Sequence, residues 1–246
     1  MAGGYACAVL VNKYGWPFFS ALPLAFVASA AIGAALERSL YRHLYTRSHL
    51  DQVLFSVGLV FMSVAATDYI MGSSRIFIKL PPGLEGQFDF FGVGIGRYRL
   101  MIIGICGLLT VALQLILSRT RFGSRLRAAV DDPRVASGLG INVPRVFAFT
   151  FAFGCGLAGL GGALSAEILG LDPYFPLKFM IYFLIVVTVG GSSSITGPFL
   201  ASLLLGIGDV AGKYYVPKMG PFVIYTIMIV ILIWRPNGLF GRGAAR

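Results

Sequence analysis

Long apolar runs separated by short charged breaks dominate this chain. A bilayer core about 30 Å thick needs roughly twenty helical residues to cross it, and only helices or closed barrels satisfy their own backbone hydrogen bonds there. The runs are too long and unbroken for barrel strands. They predict spanning helices over residues 18–36, 50–71, 100–118 and 146–169. Three more broken spans follow: 173–191, interrupted by Lys178; 194–216, containing Gly197, Pro198 and Asp209; and 217–234. The pair around Gly190 to Ser194 has an alternative reading as half-helices meeting inside the membrane, because irregular backbone at depth is tolerated where it is buried in protein or lines a cavity.

The first eleven residues, MAGGYACAVLV, are apolar but too short to span. They read either as the remnant of a helix that starts upstream or as a re-entrant or interfacial segment. The fold class expected is an all-α integral membrane protein, a polytopic bundle of about seven spans.

Composition supports this. Hydrophobic residues make up 57% and charged residues 12%, against about 25% charged in soluble proteins. The net charge of +10 does not form a continuous basic face, so nucleic acid is not the expected partner. The basic residues instead mark the loops. Arg38, Arg42, Arg47, the six from Arg119 to Arg145, and Arg235, Arg242 and Arg246 fall on one side, twelve in all; Lys13, Arg75, Lys79, Arg97, Arg99, Lys178, Lys213 and Lys218 fall on the other. The richer side is expected to be cytoplasmic, with the carboxyl terminus and the 119–145 loop there and the 72–99 loop outside.

Chemistry is sparse. Cys7, Cys106 and Cys155 lie in apolar runs without a CxxC pair and read as small buried hydrophobes, and His43 and His49 lack metal-ligand spacing. Gly154, Gly156 and Gly159 spell GxGxxG, but inside a span, where a dinucleotide fingerprint has no strand before it. Gly154, Ala158 and Gly162, four residues apart, read as a smooth stripe for helix packing. No Walker motif, HExxH or GxSxG occurs, so neither an ATP site nor a hydrolytic enzyme is expected. Asp68, Glu167 and Asp209 interrupt apolar runs near expected outer helix ends, where interfacial water is within reach. Tyr41, Tyr45, Tyr214, Tyr215 and Trp234 read as interfacial anchors, and Arg235-Pro236-Asn237-Gly238 ends the last helix.

Three stretches carry a resemblance: TRFGSRLRAAVDDPRVASGLGINVPRV from Thr120, GCGLAGLGGALSAEI leading to Asp172-Pro173, and VGGSSSITGPFLASLLLGIGD from Val189, with WRPNGLFG beyond it. In this order and spacing the chain resembles the permease subunits of branched-chain amino acid ABC importers, of the leucine, isoleucine and valine type. The resemblance implies about eight helices in a full-length member, so an amino-terminal part is expected to be missing here. It also implies one transmembrane domain over 1–246 in a bacterial inner membrane. ATP and Mg would sit on separate ATPase subunits, with a second permease, identical or homologous, and an extracytoplasmic solute-binding protein as further partners. No cofactor is implied on this chain.

The coupling element implied is the 119–145 loop, with Ala128, Ala129 and Ala136 for close approach, Gly138 and Gly140 for the turn, and Arg125, Arg127, Asp131, Asp132 and Arg134 at the rim beside Pro133 and Ile141. The 72–99 loop is a landing site for the binding protein or an ordinary solvated loop. A pathway near Gly190, Gly191 and Ser192 and the Gly154 to Gly162 face is the expectation for the solute. The substrate class is branched-chain amino acids, or urea or short amides as in related permeases. The rival reading is a self-sufficient secondary transporter or channel.

Overall fold

The computed structural model describes residues 1–246 except 45–46, 82–83, 85, 91–92, 192–193, 216, 218–219, 236–237 and 240–246. Among the residues singled out above, Tyr45, Ser192, Ser193, Lys218, Pro236, Asn237, Arg242 and Arg246 therefore lie outside the described part. The described helices are α1 (Ala2–Asn12), α2 (Phe18–Leu36), α3 (Arg42–Leu44), α4 (His49–Met71), α5 (Arg97–Arg119), α6 (Arg121–Asp131), α7 (Pro133–Gly138), α8 (Val143–Leu169), α9 (Phe175–Gly190), α10 (Thr196–Tyr215) and α11 (Gly220–Trp234). A π-helical turn, Glu37–Tyr41, joins α2 to α3. Every expected span is met by a helix within a few residues. Two of the long ones start where a polar side chain takes up a free N–H: Ser48 Oγ accepts from Asp51 N–H at 3.2 Å before α4, and Asn142 Oδ1 accepts from Arg145 N–H at 3.1 Å before α8.

The helices are not quite the whole of it. Strand β1 (Gln87–Phe90) pairs antiparallel with β2 (Val93–Gly96) in the 72–99 loop, a short hairpin that the span pattern did not announce. It is an insertion between spans and leaves the helical class unchanged.

The chain divides into two compact units, Met1–Gly104 with Arg121–Pro176, and Ile105–Thr120 with Leu177–Arg246. In the first, α2 and α8 pack along their length and α1 lies against both. The apolar amino-terminal segment is thus a core helix of this unit, burying Tyr5, Cys7 and Ala8. By contrast α4 and α5 bury few of their large apolar side chains and expose many, among them Leu54, Phe61, Met62, Ile103 and Leu108. A span with no water-avoiding partner in its own chain is stable only against lipid or another subunit. Cys106, on α5, is exposed for this reason, whereas Cys7 is buried as expected.

At one end of this unit, several bonds tie α1, the start of the 72–99 loop and the α8–α9 link together. Asn12 Nδ2 donates to Phe77 O at 2.8 Å, and Lys79 N–H donates to Asn12 Oδ1 at 3.1 Å. Ile76 and Leu171 exchange two backbone bonds of 2.8 Å, and Arg75 reaches Asp172 at 3.6 Å.

In the second unit, Ile185 and Val189 of α9, Ala201 and Leu205 of α10 and Ile224 of α11 form the core. Gly190 lies so close to Gly197 and Pro198 that no side chain fits there. Leu239 N–H donates to Val189 O at 2.8 Å, which folds the turn after α11 onto the end of α9. The end of α9 and Leu239 therefore share one end of this unit. Gly190 thus ends α9 against the start of α10, and Gly191 lies against Gly238 in the turn after α11.

Candidate functional site

The segment between α5 and α8 folds as a small amphipathic unit. Phe122, Leu126 and Ala129, spaced by four and three, lie on one face of α6, and Phe122 packs edge-on against Phe149 of α8 at 5.2 Å between ring centres. The chain then turns at Asp132. Its carboxylate Oδ1 accepts from Arg134 N–H at 2.9 Å and Val135 N–H at 3.1 Å, capping α7, while Pro133 takes the first helical position, where no N–H is needed. Gly140 has φ of +80°, a left-handed conformation that lets the chain reverse into α8.

Ala129, Ala136 and Val143 are fully enclosed together, with Ala128, Ile141, Val146 and Phe147 packed around them. This corrects one expectation. Ala129 and Ala136 sit inside the segment's own small core, where they allow α6, α7 and α8 to close on each other, and they are not on its outer surface. The outer surface carries Arg125, Arg127, Asp131, Asp132, Pro133, Arg134, Gly138 and Gly140. It also carries three large apolar side chains that the charge pattern had hidden: Val130 at 63%, Val135 at 59% and Leu139 at 76% exposed. They stand at i, i+5 and i+9 across two helices with a turn between them, which gave no single periodic signal.

The Asp132 cap is testable by itself. Asp132→Ala is expected to cost about 1 kcal/mol, raising hydrogen exchange at Arg134 and Val135 about fivefold with little change in α8; equal exchange in both proteins would show that the cap is not made.

The small residues of α8 divide between two faces. Gly162 packs against the backbone of Met1 and Gly4, but Gly154 faces open space and Ala158 is exposed. The face in use holds Cys155, Gly156, Gly159, Gly162 and Ala163, against Gly33, Phe26, Ser29 and Gly3. At about 100° per residue, Gly154 is turned by about 80° from Gly162, away from this face.

Asp68 and Glu167 lie close to the ends of α4 and α8, and Asp209 lies in the last third of α10. Ser73 Oγ donates to Asp68 Oδ1 at 2.6 Å, Lys213 Nζ pairs with Asp209 Oδ2 at 2.5 Å, and Glu167 stands at the wall of a cleft of about 610 Å³ with Tyr98, Arg99 and Gln87. Tyr214, Tyr215 and Trp234 are strongly exposed at helix ends. Tyr41 departs from that group: its ring packs on Phe151 and Phe55, and its hydroxyl lies 3.3 Å from Ser56 Oγ. Among the described residues, no three of His, Cys, Asp and Glu gather in a group that could hold a metal ion.

A family model described as the branched-chain amino acid transport system / permease component matches residues 1–232. The chain belongs to this permease family. The permease is 28% identical to the high-affinity branched-chain amino acid transport system permease protein LivH of Escherichia coli K12, over 89% of this chain and 72% of that protein. It is 29% identical to BraD, of the same description, from Pseudomonas aeruginosa, over 98% of this chain and 83% of that protein. LivM of Salmonella typhimurium, also a permease protein of that system, is 27% identical over 96% of this chain and 60% of its own length. No solved structure matches the chain. Family and apolar helices together make the permease a multi-pass membrane protein.

Proposed function

We propose that this permease is the transmembrane subunit of an ATP-binding cassette importer that moves branched-chain amino acids, or similar small polar solutes, by alternating access. A separate ATPase subunit, holding ATP and Mg, docks on the α6–α7 segment from the cytoplasm. The observation that carries this reading is the segment itself, a self-packed pair of short helices presenting Val130, Val135 and Leu139 within a charged rim. An exposed apolar patch ringed by charge is the anatomy of a protein interface. Because Phe122 of α6 rests on Phe149 of α8, force applied to the segment reaches a spanning helix directly.

The carboxyl terminus lies on the same cytoplasmic side, a second permease completes the membrane part, and a soluble binding protein delivers the solute at the 72–99 loop. The names of LivH, BraD and LivM support the substrate class. A self-sufficient carrier is disfavoured because the ionisable residues in apolar runs lie toward helix ends, with two of the three engaged locally.

The test is uptake of labelled leucine, urea and acetamide into vesicles holding this chain with its co-purifying subunits. Leucine uptake that requires both ATP and a Walker-motif partner is expected. Uptake by the permease alone, without ATP, would refute the proposal, and uptake of urea in place of leucine would reassign the substrate.

A further inference from the structure

At the end of α2 the helix widens into the π-helical turn, with Arg42 N–H donating to Glu37 O across five residues. Such turns are rare and collect at functional sites. Together with the first turns of α8, the widened turn lines a cleft of about 540 Å³ in the first compact unit. Its walls carry Arg38, Arg42 and Arg145 beside the buried Glu37, and Phe149 and Ala152 continue the wall one and two turns further along α8. Among the described residues no ion pair engages any of the three arginines. Three guanidiniums against one carboxylate leave the cleft net positive, and Phe149, 58% exposed, gives it an apolar side.

A charged mouth that runs into an apolar wall at a span end matches one chemistry. We propose that this cleft binds an anionic phospholipid, its headgroup phosphate held by Arg38, Arg42 and Arg145 and an acyl chain lying along Phe149 and Ala152. Guanidinium forks suit phosphate oxygens, and basic pockets between spanning helices at a cytoplasmic surface hold anionic headgroups. The inference needs only the membrane setting and does not depend on the coupling role of α6 and α7. It has a consequence for that role: the lipid's apolar wall includes Phe149, the ring on which Phe122 rests.

The full chain is reconstituted in phosphatidylcholine containing phosphatidylglycerol and re-extracted in mild detergent, and the retained lipids are counted by mass spectrometry. Phosphatidylglycerol is expected to be retained over phosphatidylcholine. That preference should fall about fivefold in Arg38→Ala and about fivefold again when Arg145→Ala is added, with no change in Arg75→Ala on the outer loop. The Arg38→Gln, Arg145→Gln pair is expected to show the same loss and applies if the alanine pair misfolds. Equal retention of both lipids, or an unchanged preference in the variants, would overturn the proposal. So would displacement of the lipid by millimolar inorganic phosphate, which would make the cleft a site for free anions. Unchanged lipid retention with loss of a co-purifying subunit would also overturn it, and would assign the cleft to a protein partner.

Discussion

Gly159→Leu is expected to break the packing of α1, α2 and α8, at a cost of about 3 kcal/mol, while Gly154→Leu, five residues away on the same helix, stays within about 0.5 kcal/mol of the parent. The two glycines look alike in sequence. In the structure Gly159 stands where three helices meet: a Cβ on it would overlap the Ser29 side chain and come within 3.3 Å of Ala25 O, and a Cβ on the facing Gly3 would come within 2.5 Å of Gly159 Cα and 2.6 Å of its carbonyl oxygen. Ser29 Cβ is fixed by its own backbone and Ala25 O is backbone, so neither can rotate away. Gly154 has nothing within 4 Å of its missing Cβ.

Small residues at such crossings replace the hydrophobic drive that lipid removes, because close approach is what gives membrane helices their dispersion contacts. Thermal unfolding in detergent, followed by size-exclusion recovery, separates the variants: a fall of roughly 10 °C is expected for Gly159→Leu and almost none for Gly154→Leu. Equal melting of the two would mean that the crossing is not the one described.

The second large effect concerns docking. Val135→Asp with Leu139→Asp is expected to weaken co-purification of the ATPase subunit about thirtyfold, the loss typical of a buried apolar anchor worth about 2 kcal/mol, and to remove leucine-dependent ATPase activity. Insertion and unfolding temperature should stay near the parent, since both side chains are more than half exposed and outside the segment's core. Ala129→Trp serves as the contrast. A large ring in place of a methyl group that is wholly enclosed beside Ala136 and Val143 is expected to unfold the α6–α7 segment itself. That variant would lose coupling and local order together, visible as faster hydrogen exchange through α6. Full coupling in the aspartate pair would remove the docking assignment; a local unfolding in it would show that Val135 and Leu139 are structural.

Much of this protein could be read before any fold was in hand. Run length and apolar content located the spanning helices, since the thickness of the hydrocarbon core and the demand for internal backbone hydrogen bonds leave few alternatives. The 119–145 segment was also legible, because a charged stretch with Asp132-Pro133 and Asn142-Val143-Pro144 signals caps and helix starts through local chemistry alone. The family stretches read from the residues agree with the match over residues 1–232.

Tertiary structure decided which faces are used. Gly154, Ala158 and Gly162 formed one plausible stripe on α8, yet the packed face is the one through Gly156, Gly159 and Ala163, selected by Gly3 and Ser29 more than a hundred residues earlier. In a soluble helix polar residues mark the outward face; in α8 nearly every position from Val146 to Leu164 is apolar or small, so periodicity offers several equivalent stripes. The same ambiguity hid the place of α1 in the core, whereas Ala129 and Ala136 lie on the inward side of short amphipathic helices whose partner, α8, only the fold supplies. Local sequence determined where this chain crosses the membrane and where its helices begin and end. Only contacts between distant segments decided which side of each helix meets protein, because within lipid an apolar side chain is equally at home on either.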